Sequence, residues 1–247
     1  MNKTILKAIE LSELAYADRG VVMQELLPKA MNLKILDIED CGVQGFFYET
    51  YDTTWVVIRG TEFDSLDDWM TNLDCEFIMS KWGEVHKGFY TDMVAVTLEL
   101  YDDIQIALAR NKQVIFTGHS QGAAVATLLH SDNYYHNTLC IPIESPRCMS
   151  KLAAEQYGTV HGRRIYQVIN NNDIVPSVPP KAMGYRHVYN THLRYINRKG
   201  KVLHKISGWD KFIDKMFGYV RDFGKIGLDG LKDHSIGTIK ELWKNQM

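Results

Sequence analysis

Val114-Ile115-Phe116-Thr117-Gly118-His119-Ser120-Gln121-Gly122-Ala123-Ala124-Val125-Ala126 runs from a β-branched apolar stretch, through a Gly-x-Ser-x-Gly pentapeptide, into an alanine-rich stretch. The first part reads as a buried strand and the last as a buried helix, so the pentapeptide falls at a strand-to-helix turn. In such a turn a serine hydroxyl stands clear of the sheet, and the first amides of the helix face the group it attacks. The glycines two before and two after Ser120 let strand and helix approach closely. This context turns a common pentapeptide into a candidate nucleophile elbow.

Outward from the elbow, strand-like and helix-like segments alternate without internal repeat or low-complexity tract, which predicts a mostly parallel central sheet flanked by helices. Residues 4–17 read as a leading helix, Val43 to Glu49 and Thr54 to Arg59 as strands joined at Tyr51-Asp52-Thr53, and Gly88 to Arg110 as a helix. That helix repeats Phe89, Met93, Val96, Leu100, Ile104 and Leu108 at spacings of three and four. Thr138 to Glu144 and Arg164 to Ile169 read as further strands. Tyr185 to Tyr189 and His192 to Ile196 read as a hairpin, with Lys199-Gly200 turning at its far end. Helical segments are expected at about 208–223 and 235–245.

The chain has 247 residues and is 45% hydrophobic, enough to bury a core as one α/β domain over 1–247. Its formal charge of −2, without blocks of like charge, gives no reason to expect nucleic acid as a partner. No stretch approaches the ~18 apolar residues of a transmembrane segment. The charged N-terminus, Met1-Asn2-Lys3-Thr4-Ile5-Leu6-Lys7, leaves no unbroken apolar core for a signal peptide. Cys41, Cys75, Cys140 and Cys148 form no C-x-x-C pair. They read as free thiols, and the location expected from these features is cytoplasmic. No metal-ligand spacing is present, so neither metal nor cofactor is expected.

In an elbow of this kind the chain order is Ser, then Asp or Glu, then His. Asp173 follows a predicted strand through Asn170-Asn171-Asn172, and Pro176, Pro179 and Pro180 forbid continuation of that strand. An Asp there serves equally as a turn former or as the acid that orients an imidazole. Of the nine histidines, His187, His192, His204 and His234 follow Asp173 and stay open as the base. His86 reads as a satisfied structural polar group, His119 as an elbow neighbour, and His130, His136, His161 and His204 as surface or half-buried residues.

Several motifs in order resemble the class 3 lipases, the family of the filamentous-fungal triacylglycerol lipases and related feruloyl esterases. They are Val56-Val57-Ile58-Arg59-Gly60-Thr61, Asp68-Trp69, Asn72-Leu73-Asp74, Val85-His86-Lys87-Gly88-Phe89, the elbow, Ser145-Pro146-Arg147 and Asn172-Asp173-Ile174-Val175-Pro176. The resemblance covers about residue 8 to the C-terminus. It implies an α/β-hydrolase fold with a short helical lid, and a serine ester hydrolase acting on lipid or other esters through an acyl-enzyme. It assigns Ser120 as nucleophile, Asp173 as acid and His234, in Asp233-His234-Ser235 before the final helix, as base; His187 is the runner-up. It places the oxyanion donors at Thr61, by amide and hydroxyl, and at the amide of Gln121. Where the family commonly has Leu-Gly-Gly after the serine, this chain has Gln121-Gly122-Ala123.

The lid implied by the resemblance spans Glu62 to Asp74. Leu66, Trp69, Met70 and Leu73 share one helical face, and the other face is acidic. That arrangement suits closure over an acyl pocket and transient contact with a neutral lipid interface, while repelling an anionic membrane. Phospholipase A1 and short-chain or aromatic-acyl esterase are the competing activities. A silent hydrolase fold used for protein binding is the competitor from another class.

Overall fold

The computed structural model describes residues 1–61, 74–171, 173–204, 206–207 and 234–246. Strands β1 (Asn32–Ile38), β2 (Val43–Glu49), β3 (Thr53–Ile58), β6 (Gln113–His119), β7 (Thr138–Ile143), β9 (Val168–Asn170), β11 (Arg194–Ile196) and β12 (Val202–Leu203) form an eight-stranded sheet in that spatial order. The run from β3 through β6, β7 and β9 to β11 is parallel, and antiparallel strands close both edges.

Both faces of this sheet are covered, which explains why its central strands are nearly continuously apolar. Val56 and Ile58 of β3, with Val114 and Phe116 of β6, join the core beneath α3 (Lys87–Ala109), α4 (Gln121–Asp132) and α5 (Lys151–His161). Trp55, Val57 and Ile115 alternate to the opposite core, under α1 (Asn2–Leu14), α2 (Arg19–Leu26) and α6 (Ile236–Lys244). The two-residue period of a strand thus feeds two cores at once. Helices α1 and α6 lie together: Lys240 pairs with Glu13, and Trp243 Nε1–H reaches Asn2 O at 3.4 Å. This packing brings the C-terminal segment back beside the sheet. The fold is therefore the expected mostly parallel α/β-hydrolase sheet flanked by helices.

A second, antiparallel sheet of β4 (Phe77–Ser80), β5 (Gly83–His86), β8 (Met149–Ser150) and β10 (Tyr185–Arg186) corrects the predicted hairpin. Tyr185 and Arg186 pair with β8, whereas Arg194–Ile196 joins the main sheet beside β9. Tyr195 and Ile196 are completely buried there, a burial that a two-stranded hairpin does not provide. The Lys199-Gly200 turn is present, but it joins β11 to β12. The strand expected from Arg164 begins at Val168, because residues 162–164 form a 3-10 turn and Ile165 makes one isolated bridge to Cys140.

Two histidines differ from expectation. His130 is fully buried, with Nε2 on Thr138 Oγ1 at 3.1 Å and Nδ1 against the Tyr157 hydroxyl. His86 caps α3 by accepting the Phe89 N–H at Nδ1 (3.4 Å), but its buried Nε2 has no partner among the described residues. Burial pushes the pKa of His86 down to about 4 and that of His130 to about 3. The expected helix at 208–223, and the lid residues Leu66, Trp69, Met70 and Leu73, lie outside the described residues. Among the described residues no helix is long and apolar enough to cross a membrane.

Candidate active site

Ser120 sits between β6 and α4 with φ 57° and ψ −129°, in the left-handed region that side chains avoid. Its amide donates to Ile143 O of β7 (3.0 Å) and its carbonyl accepts the Ala123 N–H (3.0 Å), so sheet and helix both hold the strained turn. The flanking glycines are required by contact: a Cβ on Gly118 or Gly122 would collide with the Ile58 carbonyl of β3, and one on Gly122 with the Arg59 carbonyl as well. Ser120 Oγ is buried and has no hydrogen-bond partner among the described residues. Its proton is uncommitted.

Asp173 is completely buried in the loop after β9. Arg147 fixes that loop through the carbonyls of Ser177 and Pro179, and the Tyr195 hydroxyl donates to Asn171 Oδ1 at 2.6 Å. The Asp173 carboxylate accepts the Val175 N–H at Oδ1 (2.8 Å) and His234 Nδ1–H at Oδ2 (2.6 Å). Burial acts to raise its pKa, but the His234 bond and charge, the Glu144 carboxyl and the Val175 amide outweigh burial and hold it below the usual value. Of the four histidines left open, His234 is therefore the one that meets Asp173. His187 is engaged elsewhere: Gln167 Nε2–H donates to its Nδ1 (2.9 Å), and its Nε2–H donates to Pro176 O (2.7 Å).

His119 does more than neighbour the elbow. Its Nε2–H donates to the backbone carbonyl of His234 (2.8 Å), its Nδ1 accepts from the Tyr16 hydroxyl (2.8 Å), and the two imidazoles lie 4.5 Å apart. Burial, reinforced by the nearby His234 charge, pushes its pKa to about 3, so it is a neutral strut. Tyr16 and Glu144 went unread in the sequence because neither lies in a motif. The one signal available was the position of Glu144 beside Ser145-Pro146-Arg147.

At the end of β3, Thr61 lies next to the start of α4, whose first amide, that of Gln121, belongs to the turn that lacks intrahelical acceptors. The Thr61 hydroxyl donates to Gln121 Oε1 (2.8 Å), and Gln121 Nε2–H donates to Asp92 Oδ2 (2.9 Å). The hydroxyl expected as an oxyanion donor is thus committed to a side chain. Among the described residues the arrangement brings together a buried serine hydroxyl without a hydrogen-bond partner and an imidazole held by a buried aspartate, groups of the kind acyl transfer uses.

A lipase of Rhizopus oryzae is 29% identical over 146 residues, covering 55% of this chain and 37% of the relative. The secreted mono- and diacylglycerol lipase A of Penicillium camembertii is 32% identical over 106 residues, covering 41% and 34%. The chain spans little more than a third of the length of these curated relatives. The solved structure of Rhizomucor miehei triacylglyceride lipase superposes with a TM-score of 0.72 at 20% identity, covering 98% of this chain and 96% of that one; at this identity the likeness concerns the fold.

These comparisons correct the cytoplasmic expectation, since relatives from Penicillium, Malassezia and Gibberella are named as secreted. Two of the four thiols are sequestered from either setting. Cys140 and Cys148 are buried, and burial raises both thiol pKa values, that of Cys148 to about 12, which makes them inert in either redox setting. With the model for lipase (class 3) matching residues 55–183, more than half of the sequence and the span from β3 through the elbow to the Asp173 loop, the chain belongs to the class 3 lipase family.

Proposed function

We propose that this chain is a serine carboxylic ester hydrolase that cleaves acylglycerol esters, with residues 1–247 acting as one α/β-hydrolase domain. The observation that carries the reading is the 2.6 Å bond between His234 Nδ1 and the buried Asp173, with the His234 backbone held by His119, the residue before the strained Ser120. In this reading Ser120 Oγ attacks the ester carbonyl and passes its proton to His234 Nε2. The amides of Thr61 and Gln121 face the developing oxyanion. His234 then protonates the departing alcohol, and Asp173 stabilises the imidazolium throughout. Water, activated by the same imidazole, releases the acid from the acyl-enzyme. The Ser120–His234 hydrogen bond, absent in the resting arrangement, closes when substrate fills the site, as is common for catalytic bonds.

The likeness to secreted mono- and diacylglycerol lipases supports acylglycerols as the substrate class. Contact with a lipid interface belongs to the same reading. A p-nitrophenyl ester series from acetate to palmitate, below and above substrate aggregation, tests it with wild type, Ser120→Ala and His234→Ala. Turnover that rises on long aggregated esters and vanishes in both variants is expected. A preference for short soluble esters would reassign the enzyme as an esterase, and activity surviving in Ser120→Ala would overturn the assignment.

A further inference from the structure

Gln121 carries two roles in two parts of one residue. Its amide opens α4 beside Ser120, and its side chain spans the gap between the end of β3 and the second turn of α3. Asp92, nine-tenths buried on α3, presents a carboxylate that only accepts hydrogen bonds, so the Gln121 NH2 must face it. That choice turns Oε1 toward Thr61 and obliges the Thr61 hydroxyl to donate. A hydroxyl has one proton, and here it is spent.

We propose that the Gln121 side chain is a positioning residue that locks Thr61 against α3 and α4, so that Thr61 serves the oxyanion through its backbone amide while its hydroxyl works as an anchor. The inference rests on the esterase reading above and concerns the position next to the nucleophile, where the chain departs from the family's usual leucine. The physical argument is preorganisation. Two amides stabilise an oxyanion only if they converge on one point before charge develops, and they come from different elements, the end of β3 and the start of α4. Backbone contacts join β3 to α4 at Gly122, but Thr61 lies beyond the last residue of the strand. The Asp92–Gln121–Thr61 chain extends the hold to that residue. It lines a cavity of about 280 Å³ together with Gly60 and Arg59, which gives water room to solvate the polar groups left behind when the chain is cut.

Steady-state kinetics on p-nitrophenyl butyrate with the full chain tests this. Gln121→Leu and Thr61→Val should each lower kcat roughly ten- to a hundredfold with KM held within about twofold, as expected for misplacement of a transition-state contact. The double variant should be no worse than the poorer single one, because both break the same bond. A wild-type kcat in Gln121→Leu overturns the inference, and so does a loss in Thr61→Val far exceeding that in Gln121→Leu, which would return the hydroxyl to the oxyanion itself. Should Gln121→Leu fail to fold, Thr61→Val and Asp92→Leu cut the chain from its other ends, and equal kcat losses in these two are required. Absence of wild-type turnover on every ester would overturn the esterase reading and this inference with it. An active wild type whose variants retain its kcat overturns the inference alone.

Discussion

Glu144 and Asp173, both completely buried, share a side-chain hydrogen bond that helps hold the Asp173 carboxyl below its usual pKa. Two adjacent buried carboxylates do not both ionise, and a bond between them needs one proton. Asp173, bonded to His234 Nδ1–H and the Val175 amide, is the better place for the charge. Glu144 also accepts the Asn170 N–H and pays backbone strain for its position, with φ 51°. Glu144→Gln retains a donor of the same shape and should leave kcat/KM within a few-fold of wild type. Glu144→Leu removes a bond to a charged group, worth roughly 1.5–3 kcal/mol, and should lower kcat/KM about ten- to a hundredfold. Equal damage from both variants would deny the donor role.

Asp173→Asn keeps the volume but places an amide against His234 Nδ1. If its NH2 group faces the ring, the imidazole adopts the tautomer with its proton on Nε2 and cannot accept from Ser120. A fall in kcat on the order of 10⁴-fold, with KM little changed, is expected on a soluble ester. A loss of less than about tenfold would show that Asp173 is a loop former rather than the orienting acid.

The legible parts of this molecule are those where local pattern and tertiary role coincide. The elbow and β2 show in the sequence as apolar runs bounded by turn residues, and the long α3 as an apolar repeat at three and four along its length. The small sheet was illegible, since β8 and β10 are two residues long and no alternation can be read from two residues. The false hairpin at 185–196 has strand-like composition in both arms, but strand partners are chosen by three-dimensional packing. Within the candidate site, residue order narrows the acid and base to a few positions. The contacts of Glu144 with Asp173, Tyr16 with His119 and Asp92 with Gln121 join residues that lie far apart in the chain, and in each pair one partner belongs to no motif.

Acid should destabilise the fold well above the carboxylate range. Burial pushes His86 to about 4 and His119 and His130 to about 3, whereas in the unfolded chain each titrates near ~6.5. Between these values the unfolded state binds protons that the native state refuses, so stability falls as pH falls. Each pKa unit is ~1.4 kcal/mol, and three sites compound it. The lowered pKa of Asp173 adds a further loss only below its unfolded value of ~3.9. The melting temperature should decline continuously from pH 7 to pH 4.5. His130→Gln should start lower yet fall less steeply, and parallel slopes for the two proteins would refute the role of His130.

Two glycine-to-alanine changes should act with opposite sign. A Cβ on Gly122 meets the backbone carbonyls of Ile58 and Arg59, which no side-chain rotation relieves, so β3 and α4 must separate. Overpacking of this kind costs about 1–3 kcal/mol or more. Because Thr61 follows β3 and Ser120 precedes α4, kcat should fall further than the stability loss alone explains. Among the described residues, a Cβ on Gly237, in the first turn of α6, meets Glu13 Oε1 at 3.6 Å and Ser235 Oγ at 3.7 Å, ordinary contacts. Gly237→Ala should therefore stabilise the helix by roughly 0.5–1 kcal/mol through reduced backbone entropy. Chemical denaturation with parallel kinetics measures both. A Gly122→Ala protein with wild-type kcat would show that the close approach of strand and helix is a packing feature without bearing on the oxyanion contacts.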